Sequence, residues 1–447
     1  MQKNKREQNV RSAGKAELCP VQEGKMAQKE QNVQKEETVQ KEETVQKEEK
    51  VQKEDKAQKE DKVQQKQNMQ KEQNVQKMQD SASVQLNSAG SQEKEAAQLP
   101  PKGGWQERRL DVIIPTFHPG SKFVRLLEAL GTQNFPVNKV IIMNTEEELF
   151  GQAAVRAVEE QRAAGMQIEV HHLPKAAFDH AGTRQAGVRY SEAEAFLCMT
   201  DDAVPADSFL TKRLMQALYG GTNAEGEVDA AEPGEQEAEP KIAMAYARQL
   251  ADEDCREAER FTRLFNYPPE ASVKSAKDLP RLGIKTYFAS NVCCAYDRAV
   301  FTELGGFCST AIFNEDMVYA AAVIKAGFCI AYAAQACVIH SHNYTAGQQF
   351  HRNFDMGVSQ ALHPEVFSGL PAEGEGVRLV LKTMEHLLKC GKPWLLPGLF
   401  LQSACKYAGY RLGKNWAHLP RPILRYCLMN RAYLPKLFEE QKGAQKR

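Results

Sequence analysis

The sequence lacks the features that mark several large classes of protein. Basic and acidic side chains are equal in number, so the formal net charge of zero gives no overall attraction to nucleic acid or an anionic membrane. No apolar run approaches the roughly 18–20 residues of a membrane-spanning helix. The start of the chain leads into no apolar stretch of the secretory type. We therefore expect a cytoplasmic protein without a nucleic-acid partner.

Paired cysteines are missing as well. The chain has 11 cysteines, an odd number, and none are spaced as Cys-x-x-Cys. Several of them lie in apolar runs: Cys198, Cys293, Cys294, Cys329 and Cys337. Buried free thiols in a reducing compartment fit this distribution better than a disulfide framework does.

The first hundred residues contain no Phe, Tyr or Trp. From Gln34 the sequence cycles with a six-residue period through Gln-Lys-Glu-Glu-Thr-Val and close variants. One apolar residue in six matches neither the 3.6-residue nor the 3.5-residue period, so no continuous apolar stripe forms on a helix. Such a segment buries too little to offset its ordering entropy. The sequence predicts a disordered repeat tail over residues 1–104; an interaction arm for protein partners is the alternative.

From residue 105 onward, short apolar runs alternate with helical patterns. Strands are predicted over 110–116, 139–143, 168–170, 196–199, 242–247, 288–296 and 329–339. Helices are predicted between them, including one over 121–130 behind a Ser cap, and an acidic insertion is expected over 220–240. This alternation predicts α/β architecture with βαβ units and a mainly parallel sheet.

Polar or turn-forming residues stand where three of these strands end: Pro115 with Thr116, Asn144 with Thr145, and Asp201 with Asp202. Ligands of such sheets bind beyond the carboxyl ends of the strands, so these residues should converge on one cleft. Carboxylates there suit Mg²⁺ or Mn²⁺ bound to substrate phosphate. An Asp pair also begins turns and caps helices, which leaves a structural role open.

Three further motifs admit both a functional and a structural interpretation. Asp316 or Glu315, in Asn314-Glu315-Asp316, is either a general base or an acid at a helix start. His340 and His342 either bind metal or phosphate, or are satisfied structural residues. Arg184, near a predicted helix start, either pairs with phosphate or lies on the surface.

Taken in order, these segments resemble a family 2 glycosyltransferase of the GT-A fold, and more closely a rhamnosyltransferase-type member. The resemblance covers about residues 108–365, and more faintly extends to 435. The segments that carry it are Val112-Ile113-Ile114-Pro115-Thr116, Phe178-Asp179-His180-Ala181-Gly182-Thr183-Arg184, Met199-Thr200-Asp201-Asp202-Ala203-Val204-Pro205, Phe265-Asn266-Tyr267-Pro268, Lys285-Thr286-Tyr287-Phe288-Ala289-Ser290-Asn291, Asn314-Glu315-Asp316 and His340-Ser341-His342-Asn343-Tyr344.

The resemblance implies an inverting transferase that acts by single displacement. Asp202, with Asp201, would hold Mg²⁺ or Mn²⁺ on the donor diphosphate, and Asp316 would be the base. His340 or His342 would be a third contact, and two residues so spaced on a strand face the same side. Pro115, Thr116, Asn144 and Thr145 would line the nucleotide, and Arg184 would contact phosphate. Many members carry acidic residues and Gly-Ser where this chain has Asn144-Thr145-Glu146, which leaves dTDP-sugars and UDP-sugars both open.

The end of the chain is strongly basic. From Arg378 to Arg447 the only acidic residues are Glu385, Glu439 and Glu440. We expect a basic helical region over 366–447, after a GT-A catalytic domain over 105–365. It would either cap that domain or dock on an anionic bilayer and so present a lipid-linked acceptor.

These expectations combine into one hypothesis with two alternatives. The chain would move rhamnose from dTDP-rhamnose onto a hydroxyl of a cell-surface polysaccharide or a lipid-linked acceptor, as a cytoplasmic enzyme with peripheral membrane contact. A relative using another nucleotide sugar is the first alternative. A catalytically silent glycosyltransferase-like binding module is the second.

Overall fold

The computed structural model describes residues 104–220, 241–369 and 373–444. These residues belong to one compact unit that begins at Pro101. The repeat tail predicted over 1–104 lies outside the described residues except for Gly104. Of the acidic insertion expected over 220–240, only Gly220 is described.

A nine-stranded mixed sheet forms the centre of the unit. Its strands are β1 (Leu110–Phe117), β2 (Lys139–Thr145), β3 (Ile168–Leu173), β4 (Ala195–Met199), β5 (Val204–Pro205), β6 (Ile242–Leu250), β7 (Ser272–Lys274), β8 (Cys293–Asp297) and β9 (Cys329–Ile339). They lie in the order β3-β2-β1-β4-β8-β6-β9-β5, with β7 also paired to β9.

The sheet is mostly parallel, as predicted. Strands β3, β2, β1 and β4 are parallel neighbours. Antiparallel β8 joins them to β6 and β9, which are parallel to each other and therefore run in the same direction as β4. Only β5, β7 and β8 run the other way. The carboxyl ends of the six co-directional strands consequently share one edge of the sheet.

Helices cover both faces of the sheet. They are α1 (Ser121–Gly131), α2 (Gln152–Ala163), α3 (His180–Arg189), α4 (Leu210–Tyr219), α5 (Glu257–Asn266), α6 (Leu279–Leu282), α7 (Arg298–Glu303), α8 (Glu315–Lys325), α9 (Ala346–Leu362), α10 (Pro364–Phe367), α11 (Glu373–Lys389), α12 (Leu396–Lys414), α13 (Arg421–Cys427) and α14 (Leu434–Ala444). Alternate residues of β1 enter different cores: Val112 and Ile114 pack on one face, and Ile113 packs on the other. Burial on both faces explains why these strands read as continuous apolar runs.

Two local predictions were wrong. The Ser cap of the first helix is absent, because Gly120 holds the cap position and Ser121 is the first helical residue. The strand predicted over 288–296 begins only at Cys293. The backbone N–H of Asn291 instead donates to the carboxylate of Asp316, at 2.9 Å, so this residue does not join the ladder.

The helical C-terminal region is confirmed. Helix α12 packs closely on α9 because Gly409 and Gly413 lie against it; a Cβ at either position would collide with the carbonyl oxygen of Phe350 or Phe354. Phe354 joins Trp416 in a third apolar core. Within the described ranges, no helix combines the length and apolar content that crossing a membrane takes.

Candidate functional site

The carboxyl ends of β1 and β4 meet at the site. The hydroxyl of Thr116, near the end of β1, donates to Oδ2 of Asp201 over 2.5 Å. Asp201 follows β4, the parallel neighbour of β1. Burial, and then the charge of Asp202, raise the pKa of Asp201 to about 6. The structure therefore brings Thr116 and Asp201 together, and Thr116 stabilises the turn that carries Asp202.

The end of β2 lies beside the end of β1, but the side chains there are enclosed. Asn144 pairs with Thr116 in the parallel register, as Met143 does with Pro115. Asn144 and Thr145 are buried, and the Asn144 amide donates to the carbonyl oxygen of Glu146 at 3.0 Å. As placed, Asn144 shapes the loop after β2, and a nucleotide contact by this loop or by Pro115 stays a prediction.

Asp202 faces both histidines that follow β9. Its Oδ1 lies 3.4 Å from Nε2 of His340, and its Oδ2 lies 3.4 Å from Nε2 of His342. His340 is buried, whereas about 31% of the His342 side chain and 25% of the Asp202 side chain are exposed. The three ligand atoms lie within 4.8 Å of one another. The site is thus open on the His342 side.

The protonation states suit a cation rather than an ion pair. Burial lowers the pKa of His340 and lowers that of His342 to about 4, so both imidazoles are neutral near pH 7. Burial opposes ionisation of Asp202, but at the acid pH where Asp202 titrates both imidazoles are protonated, and the hydrogen bond from His340 and the charges of His340 and His342 hold the pKa of Asp202 well below its usual range. One carboxylate and two neutral imidazoles are a ligand set for a divalent metal.

Gln249, near the end of β6, fixes the tautomer of His340. Its Oε1 accepts from the guanidinium of Arg263 at 2.7 Å and lies 3.1 Å from Nδ1 of His340. Arg263 can only donate, so this oxygen must be the acceptor, and Nδ1 of His340 must carry the proton. The lone pair of Nε2 therefore points toward Asp202, and a cation bound between them would be shared by the two acceptors.

The acidic pair begins α8 and is held by a buried network. Asn314, just before the helix, has a left-handed φ of 62°, a conformation that a non-glycine residue adopts at a cost. Oε1 of Glu315 accepts from Arg184 at 3.1 Å and from the amide of Asn291 at 2.9 Å. Arg184 is buried by this pair, so the surface alternative was wrong for it. Its expected phosphate contact stays a prediction.

Asp316 has a different environment from its neighbour. Its Oδ2 accepts the backbone N–H of Asn291, and burial together with the charge of Glu315 raises its pKa to about 7. The next residue, Val292, accepts the backbone N–H of Thr200 at 3.1 Å, immediately before the Asp201-Asp202 turn. The short loop of Asn291 and Val292 thus connects the acidic pair to the candidate metal site at Asp202.

Sequence reasoning missed Gln249 and Asn291 as members of the site. A signal for Gln249 was present: it is a polar residue at the end of an apolar strand, as Thr116 and Asn144 are. It also missed two cationic residues near the histidine loop, Arg263 and Arg352. Both lie on helices next to motif segments, but neither belongs to a motif, so the sequence pattern does not mark them as part of the site.

A second group of metal-type ligands lies where α5 meets α11: Glu257, His386 and Cys390. The Glu257 carboxylate already has two partners, His386 at 2.9 Å and the ammonium of Lys392 at 2.8 Å. Because Lys392 neutralises this carboxylate, we interpret the group as an ion pair that joins the two helices.

The sheet topology, with acidic and imidazole groups gathered at its carboxyl edge, is that of a GT-A glycosyltransferase. The family model for glycosyl transferase family 2 matches residues 111–305. The chain is 35% identical over 329 residues to the O-antigen chain rhamnosyltransferase RfbN of Salmonella typhimurium. These residues cover 73% of this chain and 96% of RfbN. The O-antigen chain rhamnosyltransferase WbaN of Salmonella anatum is 38% identical over 260 residues, or 57% of this chain and 76% of WbaN. The chain belongs to glycosyl transferase family 2.

Solved structures show more distant similarities. The mannosyltransferase PcManGT from Pyrobaculum calidifontis, in complex with GDP-Man and Mn²⁺, has a TM-score of 0.41 at 14% identity, covering 78% of this chain and 91% of that one. TarS 1-349 of S. aureus has a TM-score of 0.38 at 13% identity, and the match covers 69% of this chain and 91% of the TarS chain. Similarities this distant carry no information on donor or metal.

Proposed function

We propose that this chain transfers rhamnose from dTDP-rhamnose to a hydroxyl of a cell-surface polysaccharide or a lipid-linked acceptor, with inversion at the sugar. The names of both relatives, O-antigen chain rhamnosyltransferases, support rhamnose as the transferred sugar and a cell-surface glycan as the acceptor. Residues 105–365 would carry the reaction, at the cytoplasmic side of the membrane. A UDP-sugar is the alternative donor, because the loop Asn144-Thr145-Glu146 departs from the common family pattern.

One observation carries the proposal: Asp202 lies between two neutral imidazoles whose Nε2 atoms are each 3.4 Å from it. This set would hold Mg²⁺ or Mn²⁺, completed by diphosphate oxygens of the donor. A bound divalent cation neutralises the charge that develops on the departing diphosphate. Thr116 and Asp201 would then position the turn against the donor.

Asp316 would take the acceptor proton. The acceptor oxygen forms a bond to the anomeric carbon, the bond from that carbon to the diphosphate oxygen breaks, and the hydroxyl proton passes to Asp316. A single displacement of this kind inverts the configuration. The raised pKa of Asp316, about 7, suits a base that works near neutral pH.

The test is release of nucleoside diphosphate by the purified full chain. The chain is incubated with dTDP-rhamnose, or with UDP-glucose and UDP-N-acetylglucosamine, in Mn²⁺ or in a chelator. Metal-dependent dTDP release from dTDP-rhamnose supports the proposal, and the anomeric configuration of the glycoside formed when a lipid-linked acceptor is added tests inversion. Release of UDP alone would establish the alternative donor. No release from any donor would indicate a silent binding module.

A further inference from the structure

Lys274, the last residue of β7, is a buried lysine that no step of the proposed reaction uses. Only 5% of its surface is exposed, and strand pairing places it opposite Ile330 of β9. We propose that Lys274 is a positioning residue for the transfer, because its amine fixes the segment at residues 285–291 against the base. This inference rests on the proposed function, since it names a further residue on which the same site depends.

The Lys274 amine has three oxygen acceptors, two of them in this segment. It donates to the carbonyl oxygen of Lys285 at 3.4 Å, to the carbonyl oxygen of Phe288, and to the Tyr246 hydroxyl at 3.3 Å. The short 3-10 helix Gly283–Tyr287 ends between the first two of these residues. Helix ends leave carbonyl oxygens without intrahelical partners, and a nearby lysine can satisfy them. Lys274 therefore fixes the point where this helix passes into the loop that follows.

Packing alone does not account for a lysine at this position. Nζ of Lys274 lies 4.8 Å from the ring centroid of Tyr246 and 5.8 Å from that of Phe288, and a methionine could contact the same rings without burying a charge. No carboxylate forms an ion pair with Lys274 among the residues that the structure describes. Burial lowers the pKa of Lys274 to about 7, and the neutral amine still has two N–H donors. What the lysine adds is its hydrogen bonds to the two carbonyl oxygens.

The segment leads directly to the base. Phe288 stands three residues before Asn291, whose backbone N–H donates to the carboxylate of Asp316 at 2.9 Å. Burial and the charge of Glu315 raise the pKa of Asp316 to about 7, and this N–H opposes them because it favours the ionised carboxylate. Without the contact from Lys274, Asn291 would lose its fixed position, and the pKa of Asp316 would rise further.

The candidate metal site at Asp202 depends less on this segment. Nε2 of Gln249 donates to Oγ of Ser290 at 3.0 Å, and Oε1 of Gln249 faces Nδ1 of His340. Nε2 of Gln249 also donates to the Tyr267 hydroxyl at 2.6 Å, so Gln249 keeps a partner when the Ser290 contact is lost. We therefore expect the loss of Lys274 to change the base and to leave metal affinity close to the wild-type value.

Amide hydrogen exchange tests the contact without any substrate. Lys274→Met keeps the length of the side chain but removes its donors, so the amides of residues 285–292 should exchange about tenfold faster or more than in the wild type. Amides of β1 should keep their wild-type rate. Lys277→Met, at an exposed position, is the matched control. Unchanged exchange over residues 285–292 in Lys274→Met, or an equal increase throughout the chain, would overturn the proposal.

The pH profile of dTDP release separates positioning from a general loss of folded enzyme. In Lys274→Met the apparent pKa of kcat/KM should rise by about one unit, so that kcat/KM at pH 6 falls about tenfold while the plateau above about pH 9 stays within about twofold. Mn²⁺ affinity should be close to that of the wild type. An equal loss at every pH, with the apparent pKa unchanged, would show a merely structural role and would contradict the proposal.

Two further points keep these tests readable. Thermal unfolding checks that each variant is folded, and Lys274→Gln, which is too short to reach both carbonyl oxygens, replaces Lys274→Met if the latter does not fold. Failure of the proposed function has a separate signature. The wild type would then release no dTDP from dTDP-rhamnose at any pH, while hydrogen exchange would still report whether Lys274 fixes residues 285–292.

Discussion

Oε1 of Gln249 lies 3.1 Å from Nδ1 of His340, and this contact sets which ring nitrogen faces Asp202. Gln249→Leu keeps the volume of the side chain but removes the acceptor. The imidazole then loses its fixed tautomer, so Mn²⁺ affinity should fall about 10–100-fold. Titration with Mn²⁺ followed by electron paramagnetic resonance measures this. Gln335→Leu, at an exposed position on β9, is the matched control. Unchanged Mn²⁺ affinity in Gln249→Leu would remove Gln249 from the site.

Asp316→Asn tests the base. The amide keeps the shape of the carboxylate but cannot take the acceptor proton, so kcat should fall about 10²–10⁴-fold. Metal-dependent nucleotide binding should stay within about twofold, because no nucleotide contact of Asp316 is proposed. Asp254→Asn, at an exposed position, should have wild-type turnover. Full activity in Asp316→Asn would assign the proton transfer to another group.

The pH dependence of turnover follows from the same carboxylate. Burial raises the pKa of Asp316 to about 7, and the base must be ionised to act. The value of kcat/KM should therefore rise with pH to a plateau above about 7, and fall about tenfold per unit below it. An apparent pKa near the ordinary aspartate value, about 4, would contradict the assignment.

The stability of the folded chain should fall over the pH range in which turnover rises. An acid whose pKa is raised by folding contributes stability below its unfolded pKa, about 4, and loses that contribution as pH rises through about 7. Asp316→Asn removes this loss. The difference in unfolding midpoint, Asp316→Asn minus wild type, should therefore be larger at pH 8 than at pH 5. A constant difference between these two pH values would show that Asp316 titrates normally.

The buried pair of Arg184 and Glu315 should matter for folding. Arg184→Met leaves the Glu315 charge buried without its cation, which costs about 3–5 kcal/mol of unfolding free energy. Replacing both residues, with Arg184→Met and Glu315→Leu, should recover much of that loss. Denaturant unfolding measures both variants. Lys382→Ala breaks an exposed pair on α11 and should change little. A small effect of Arg184→Met on the unfolding free energy would show that the pair is not required for stability.

Local patterns predicted the parts of the site that lie at strand ends. Apolar runs placed β1 and β4, and the rule for parallel sheets placed Thr116 and Asp201 at one edge. The two-residue spacing of His340 and His342 predicted a common side, and both imidazoles do face Asp202, although the two residues follow β9 and do not belong to it. These predictions succeeded because each depends on a short segment and on the direction of a strand.

Other parts of the site depend on contacts between distant segments. Asn291 looks like a strand residue from its apolar neighbours, but its N–H donates to Asp316, so the strand begins later. Arg184 looks like an exposed helix residue until α8 brings Glu315 against it. Arg352 reaches the site through the ring of Phe313, which lies far before it in the chain. No periodicity within one segment carries such information.

The central claim is a metal-dependent donor site at Asp202, and calorimetric titration of dTDP into the wild-type chain tests it most directly. Binding should require Mn²⁺ or Mg²⁺ and should be lost with chelator, since the cation links Asp202 to the diphosphate. Asp202→Ala should bind dTDP weakly with or without metal. Equal dTDP affinity for wild type and Asp202→Ala in the presence of Mn²⁺ would contradict the account.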